Sequence, residues 1–409
     1  MKIPRFKLPY KHNHKVDAVI AEETTRPSLI THFICLFIEG ASFTPVLWFV
    51  VLLVAWNALL LFISTLNGSL VLPGSDVGFA EDWVQVANCV GQLWMIWSVR
   101  RLWMTLLNLP EMIQDSMASS GSQPVRPEVL SEVADAINFL RCDTPLARRF
   151  ALAMQAVLLC LVFVFSFAIP ALVDGGTRAW NLWPERYMSS FIVSQFWNAF
   201  TFVVVVGTGI WFLGGVTLKV FPAVKHLLDN GYLKVVPIAP DGCGGLSFLG
   251  WLTLDMTMVL GSAVPFTMSW ILLYGLDISI LIGLPIYIAV LSAVFFLPLK
   301  DVHKAMHDAK VREEKRLSAL FGRTYDGLSA IRIDDNGEFH LPHDLPKVRQ
   351  RLDDLACIDI LYGRLEKMPV WPFDTGTLKR FGTLIAGPLL VSILQWFTDN
   401  GLAAYFGLR

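Results

Sequence analysis

Long apolar runs separated by polar breaks organise this chain. A spanning helix needs about 20 mostly apolar residues, and six runs approach or exceed that: 43–64, 150–173, 191–216, 247–274, 278–299 and 381–397. A seventh, 83–98, is shorter, carries Gln85, Asn88 and Gln92, and runs straight into Arg100 and Arg101. The stretch 29–40 is too short to cross and reads as an interfacial helix. Within 99–149 a Ser/Gly/Pro-rich loop precedes a helix over 129–141. The longest polar break, 300–380, begins with a charged helix that continues the sixth run. A turn at Asp335-Asn336-Gly337 follows, then a second helix over 346–367 with Leu352, Leu355, Ile358, Leu361 and Leu365 at helical spacing.

Charge decides whether the weak run spans. With the N-terminus inside and seven spans, 30 of the 33 Lys and Arg residues fall in cytoplasmic segments and 3 outside, as the positive-inside rule expects. Without 83–98 the same count places 24 outside. The weak run is therefore expected to cross. Tryptophans agree: Trp83, Trp180, Trp183, Trp270 and Trp396 mark outer ends, and Trp251 and Trp371 inner ends. Composition points the same way, because 54% of residues are hydrophobic and 16% charged, where a soluble domain carries roughly a quarter charged. The basic N-terminus is not followed by a short apolar core with a cleavage site, so no cleaved signal peptide is expected. No internal repeat is visible to suggest an inverted-repeat transporter.

The expected fold is all-α and membrane-integral, with seven helices, N-terminus inside and C-terminus outside. It divides into an N-terminal segment (1–42), a six-helix region (43–299), a cytoplasmic helical subdomain (300–380) and the last helix with its tail (381–409).

Candidate chemistry is sparse. The stretch Pro240–Leu246, "PDGCGGL", opens the fifth run. Its glycines, Gly242, Gly244 and Gly245, would let backbone N–H groups beside Asp241 hold an anion at a helix start. The simpler reading is a helix-start turn capped by Asp241 or Ser247. No Lys-Ser/Thr follows, so it is no Walker loop. Asp255 is the one charged side chain within the well-defined core of a run. It lies about 12 Å beyond Ser247 at 1.5 Å per residue. An unpaired carboxylate there costs about 2.5–3.5 kcal/mol or more, so it needs a partner or a water-filled cavity, in either a functional or a structural role. Pro170, Pro265, Pro285, Pro388 and the run 207–215 fit kinked or closely packed helices. His303 and His307 stand at i, i+4, a spacing that can chelate a metal, although a solvated helix face explains them as well.

The six cysteines are scattered, with no C-x-x-C pair, and neither G-x-S-x-G nor H-E-x-x-H occurs. No enzyme activity, cofactor, metal or nucleic acid is expected. The bilayer is the one partner composition assigns.

Two resemblances rest on particular residues. "PIAPDGCGGLSFLG" is similar to a P-x-H-P-D-x-x-G-G-L pattern of uncharacterised bacterial multi-pass membrane proteins, with Ala239 in place of the histidine. It implies a bacterial inner-membrane location and no activity. The seven-span, N-inside arrangement resembles insect odorant and gustatory receptors, which are oligomeric ligand-gated cation channels. On that likeness 346–367 corresponds to the subunit anchor, and "PLLVSILQWF" (388–397) resembles the pore-lining last span, with Pro388–Leu389 and Trp396 as departures. The resemblance implies a homo-oligomeric channel with Gln395 and Asp399 near the pore mouth. The residues leave two alternatives: a proton- or cation-coupled transporter using Asp255, and a scaffold working through its cytoplasmic helices.

Overall fold

The computed structural model describes residues 33, 38, 44–72, 77–119, 127–142, 144–172, 180, 186–237, 239, 241–274, 278–326, 332–333, 339–340, 345–373 and 375–396. They are helical apart from turns and one two-residue antiparallel pair, Arg332–Ile333 with Phe339–His340. Among the described residues, six stretches are long and apolar enough to cross a membrane: Val46–Leu66, Leu130–Val164, Met188–Asp229, Ser247–Ser269, Ile282–Asp326 and Thr375–Leu394. With so many spanning-length helices, the chain is a polytopic α-helical membrane protein.

Helix α1 (Thr44–Leu66) is followed by α2 (Trp83–Ser119), which departs from expectation. Instead of stopping at Ser98 and giving way to a loop, α2 runs through Arg100 and Arg101 for about six further turns. Hydropathy falls there, but the helical period does not. Leu102, Leu106, Leu109 and Ile113 are buried at i, i+4, i+7 and i+11, and Pro110 is accommodated inside the helix. The exposed face of α2 is apolar at Trp83, Val86, Val90, Trp97, Met104 and Leu107, then acidic at Glu111 and Asp115. An apolar exposed face is the reverse of what a water-facing helix shows. That inversion suits lipid.

Helices α3 (Pro127–Leu140) and α4 (Pro145–Leu172) come next. The following rod is built from α5 (Met188–Phe200), α6 (Gly207–Gly215) and α7 (Phe221–Asp229). Two π-helical segments, Thr201–Val206 and Val216–Val220, join them. Single π turns inside helices are rare and frequent at functional sites.

The fifth expected run is broken into α8 (Ser247–Gly261) and α9 (Val264–Tyr274). Pro265, lacking an N–H, sits in the first turn of α9, where that donor is not needed. Carbonyls at the break keep backbone donors, Ser262 N–H to Val259 O (3.3 Å) and Ala263 N–H to Leu260 O (3.1 Å), and gain side-chain ones, Ser262 Oγ to Val259 O (2.6 Å) and Tyr287 Oη to Leu260 O (3.2 Å). Such a break is tolerated at membrane depth only when its backbone groups are satisfied in this way.

Helix α10 (Ile278–Phe296) passes through a 3-10 turn into α11 (Lys300–Asp326), which pairs with α12 (Leu345–Glu366) as a polar hairpin. Lys310 Nζ ties the two, donating to the carbonyls of Glu366 and Met368 at the end of α12 (3.0 Å each). A cation at a helix C-terminus also complements its dipole. Helix α13 (Thr375–Trp396) closes the bundle.

α2 and α8 sit at its centre, packed along each other, with α9, α10 and α13 against them. Backbones meet where glycine permits: a Cβ on Gly91 would stand 2.7 Å from Ser262 O, and one on Gly250 would collide with Pro372 O.

Candidate functional site

A cavity of about 710 Å³ lies between α2, the α5–α6 rod and the α8–α9 break. Its polar lining comes from Gln85, Asn88 and Gln92 on α2, Gln195 and Asn198 on α5, and Thr201 on the first π segment. Gln85, Asn88 and Gln92 fall at i, i+3 and i+7, one face of one helix. The polar residues that made 83–98 a poor hydrophobic run are therefore the wall of a chamber. The rest of the wall is apolar, including Val205, Ile210, Leu260 and Phe266. A mostly apolar chamber with a few convergent polar groups is the usual build of a small-molecule site.

These polar groups are not equally occupied. Gln85 Nε2 donates to Asn57 Oδ1 (3.4 Å), and Asn57 Nδ2 donates to Leu53 O (2.8 Å) and to Cys89 Sγ (3.3 Å), which holds Gln85 against α1. Gln92 differs: it is 3% exposed, and neither Nε2 nor Oε1 has a hydrogen-bond partner among the described residues. Thr201 Oγ1 is likewise buried and without one. One side of the chamber is pinched by Met95 and Val259. A Cβ on Gly209 would come within 3.1 Å of Met95 Sδ and 3.2 Å of Val259 Cγ1.

One turn past Val259 stands Asp255, 2% exposed. It is not bare. Thr105 Oγ1 donates to Oδ2 at 2.7 Å, and Arg101 Nε lies 2.7 Å from Oδ1. The guanidinium compensates the charge on Oδ1 without a hydrogen bond of good angle. Arg101 also lies 5.8 Å over the Trp97 ring. Both partners of Asp255 come from the part of α2 that hydropathy had assigned to a loop, which is why the sequence offered none.

The opposite end of the chamber carries Asp82, buried just before α2. Trp180 Nε1 donates to Oδ2 (3.0 Å) and the Gln85 N–H to Oδ1 (3.2 Å). Burial lifts the Asp82 carboxyl above the usual carboxylate range, against the lowering pull of Trp180. Since the folded-state value is the higher one, the Asp82 contribution to stability is fully present below the unfolded value. It is lost as pH rises through the folded value. The cost of Asp82→Asn is therefore expected to be larger at about pH 4 than at about pH 7. Thermal midpoints of the detergent-solubilised proteins check this, and a cost independent of pH would contradict it.

The "PDGCGGL" loop turns out to be filled by its own carboxylate. Asp241 Oδ1 accepts the N–H groups of Cys243 and Gly245 (2.9 Å each), and Oδ2 that of Ser247 (3.3 Å). Gly242, Gly244 and Gly245 have φ of +68°, +69° and +83°, the left-handed region that glycine enters without a Cβ penalty. The donors an external anion would need are thus already taken. Ser116 Oγ donates to Gly245 O (2.7 Å), pinning the loop to the far end of α2.

His303 stacks on Trp371 at 4.2 Å, with Nδ1 donating to Val370 O (2.8 Å), and His307 Nδ1 lies 3.6 Å from Asp308 Oδ1. Gln395 falls in the last turn of α13. Asp399 and most of 29–40 lie outside the described residues.

Fold and site together define a class: a polytopic helical membrane protein with an amide-lined chamber among its spans. No family model, curated protein or solved structure matches the chain.

Proposed function

We propose that this protein is a carrier that binds a small molecule in the chamber and passes it across the membrane. The observation that supports this reading most is the chamber itself, polar on the inner face of α2 and bounded by a broken helix and a π segment. Broken helices beside midplane sites are a recurring feature of secondary transporters. In this reading α2 is the seventh span, crossing with its apolar face to lipid, and the N-terminus is inside as the distribution of Lys and Arg favours. A bacterial inner membrane is the location that the loop resemblance suggests.

The two ends of the chamber then have distinct parts. On the cytoplasmic side, Met95 and Val259 on Gly209 form the pinch, with Arg101–Asp255 one turn beyond. Opening that side must separate α2 from α8 and loosen the pair. On the outer side, Asp82 and Trp180 form the latch.

Conduction along the last span has less support. The exposed face of α13 is aliphatic at Leu378, Leu389, Leu390, Ile393 and Leu394, which suits lipid or a second subunit better than ions. A homo-oligomer remains compatible with that face. A scaffold role would leave the chamber without use.

Asn198→Cys, in a background with the six native cysteines replaced, tests the reading without a known substrate. A membrane-impermeant maleimide is expected to label it from either side, in right-side-out and in inside-out vesicles, as alternating access requires. Labelling from one side only would reduce the site to a binding pocket. Unitary currents in a planar bilayer would restore the channel.

A further inference from the structure

Resting on the carrier reading, we infer that the molecule held in the chamber is an organic cation. A protonated amine on an apolar body is the class that fits, with its charge met by Asp82 at the outer end. Asp82 lines the chamber and is 6% exposed. Its partners are the indole N–H of Trp180 and the backbone N–H groups of Val84 and Gln85, all neutral. Neutral donors orient a carboxylate without cancelling its charge. Among the described residues no Lys, Arg or His pairs with Asp82, in contrast to Asp255, which has Arg101. Buried charges are normally paired, because an uncompensated one is costly to hold out of water. The chamber wall supplies no base either: Asp82 and Tyr287 are the ionisable residues among those described in its lining. The site thus carries one negative charge, and the ligand brings the opposite one.

The groups beside Asp82 favour a donor over an acceptor. Gln85, one turn into α2 and also in the lining, commits its Nε2–H to Asn57 Oδ1 (3.4 Å). The side of that amide left for a ligand is its carbonyl. A carboxylate has about four acceptor positions, more than the three donors around Asp82 fill. An ammonium group, with donors and no acceptor, matches both. A metal ion fits less well, since among the described residues no group of three His, Cys, Asp or Glu could hold one. The rest of the wall is apolar, with Val205, Ile210, Leu260 and Phe266, and suits hydrocarbon. A volume of about 710 Å³ lies within the roughly 300–1,000 Å³ typical of sites for drug-sized ligands.

Three probes of one shape test this: 1-adamantanamine, 1-adamantanemethanol and 1-adamantanecarboxylate. Saturation-transfer NMR at neutral pH ranks them on the full-length protein in zwitterionic nanodiscs, with empty nanodiscs as control. The amine is expected to bind roughly ten- to a hundredfold tighter than the alcohol, the scale of a hydrogen bond to a charged group. The carboxylate is expected to bind weakest. Asp82→Asn keeps an acceptor for Trp180 but removes the charge, and is expected to bring the amine down to the level of the alcohol. The amine is also expected to slow maleimide labelling of Asn198→Cys, which would place it in the chamber.

Alcohol or carboxylate binding as tightly as the amine would overturn the inference. So would an amine preference that survives Asp82→Asn, or amine binding that leaves Asn198→Cys labelling unchanged. Failure of the amine to bind the wild type would overturn it too. In each of these cases the carrier reading stands as long as Asn198→Cys is labelled from both sides of the membrane. Labelling from one side, with the amine still preferred and protective, removes the carrier reading and leaves a cation-binding pocket. If Asp82→Asn does not fold, the wild-type ranking and the protection of Asn198→Cys decide.

Discussion

Replacing Arg101 by methionine is expected to destabilise the folded protein by about 2–4 kcal/mol, and Asp255→Asn by only about 1–2. The asymmetry comes from burial. Asp255 is 2% exposed and Arg101 35%. Removing the arginine leaves a carboxylate enclosed with only Thr105 to hold it. Removing the carboxylate leaves a guanidinium that already reaches the surface and still lies over Trp97, while the asparagine carbonyl can keep the Thr105 hydroxyl. Breaking a fully buried pair typically costs about 3–5 kcal/mol. The figure for Arg101 is set lower because its side chain is 35% exposed, so the pair is only partly enclosed. A double variant, Arg101→Met with Asp255→Leu, is expected to recover most of the loss, since apolar replacements of a whole buried pair are often neutral or better. Denaturation midpoints in a mild detergent measure all three. An Asp255→Asn loss equal to that of Arg101→Met would contradict the assignment of Asp255 as the dependent partner.

Much of the architecture was legible because a bilayer admits few solutions. Spanning segments must be helical and about 20 residues long, so apolar run length located six helices in the described residues. At 83–98 the polar residues that lower hydropathy lie toward the chamber, and the exposed face stays apolar. The spacing of Gln85, Asn88 and Gln92 at i, i+3 and i+7 was the available signal. The far end of α2 was misread for a related reason. Arg100 and Arg101 look like a membrane boundary, yet the Leu102–Leu106–Leu109–Ile113 stripe keeps the helix going.

The site was legible only in part, because a chamber belongs to several helices at once. Asp255 announced that it needed a partner, since a lone intramembrane carboxylate is costly. Which residue supplied it depended on the antiparallel packing of α2 against α8, which no local pattern encodes. Likewise nothing in the sequence joins Trp180 to Asp82, about a hundred positions apart. The "PDGCGGL" turn was readable, because an aspartate two to six residues ahead of the N–H groups it accepts, with glycines between, is a local motif.

Gln92→Leu is expected to stabilise the ligand-free protein by about 1–3 kcal/mol, the cost of an unpaired buried amide. Leucine is close to glutamine in volume and removes two polar atoms that have no partners among the described residues. It also adds apolar contact with the chamber wall. Mutations in a well-packed interior usually destabilise, so a gain here would mark Gln92 as a residue retained at the expense of stability, as binding sites often require. The rise should appear in the thermal midpoint of the detergent-solubilised protein. By contrast, Asn88→Leu on the same face leaves Gln92 in place and is not expected to reproduce that gain. A Gln92→Leu protein less stable than wild type would show that the amide is satisfied within the fold.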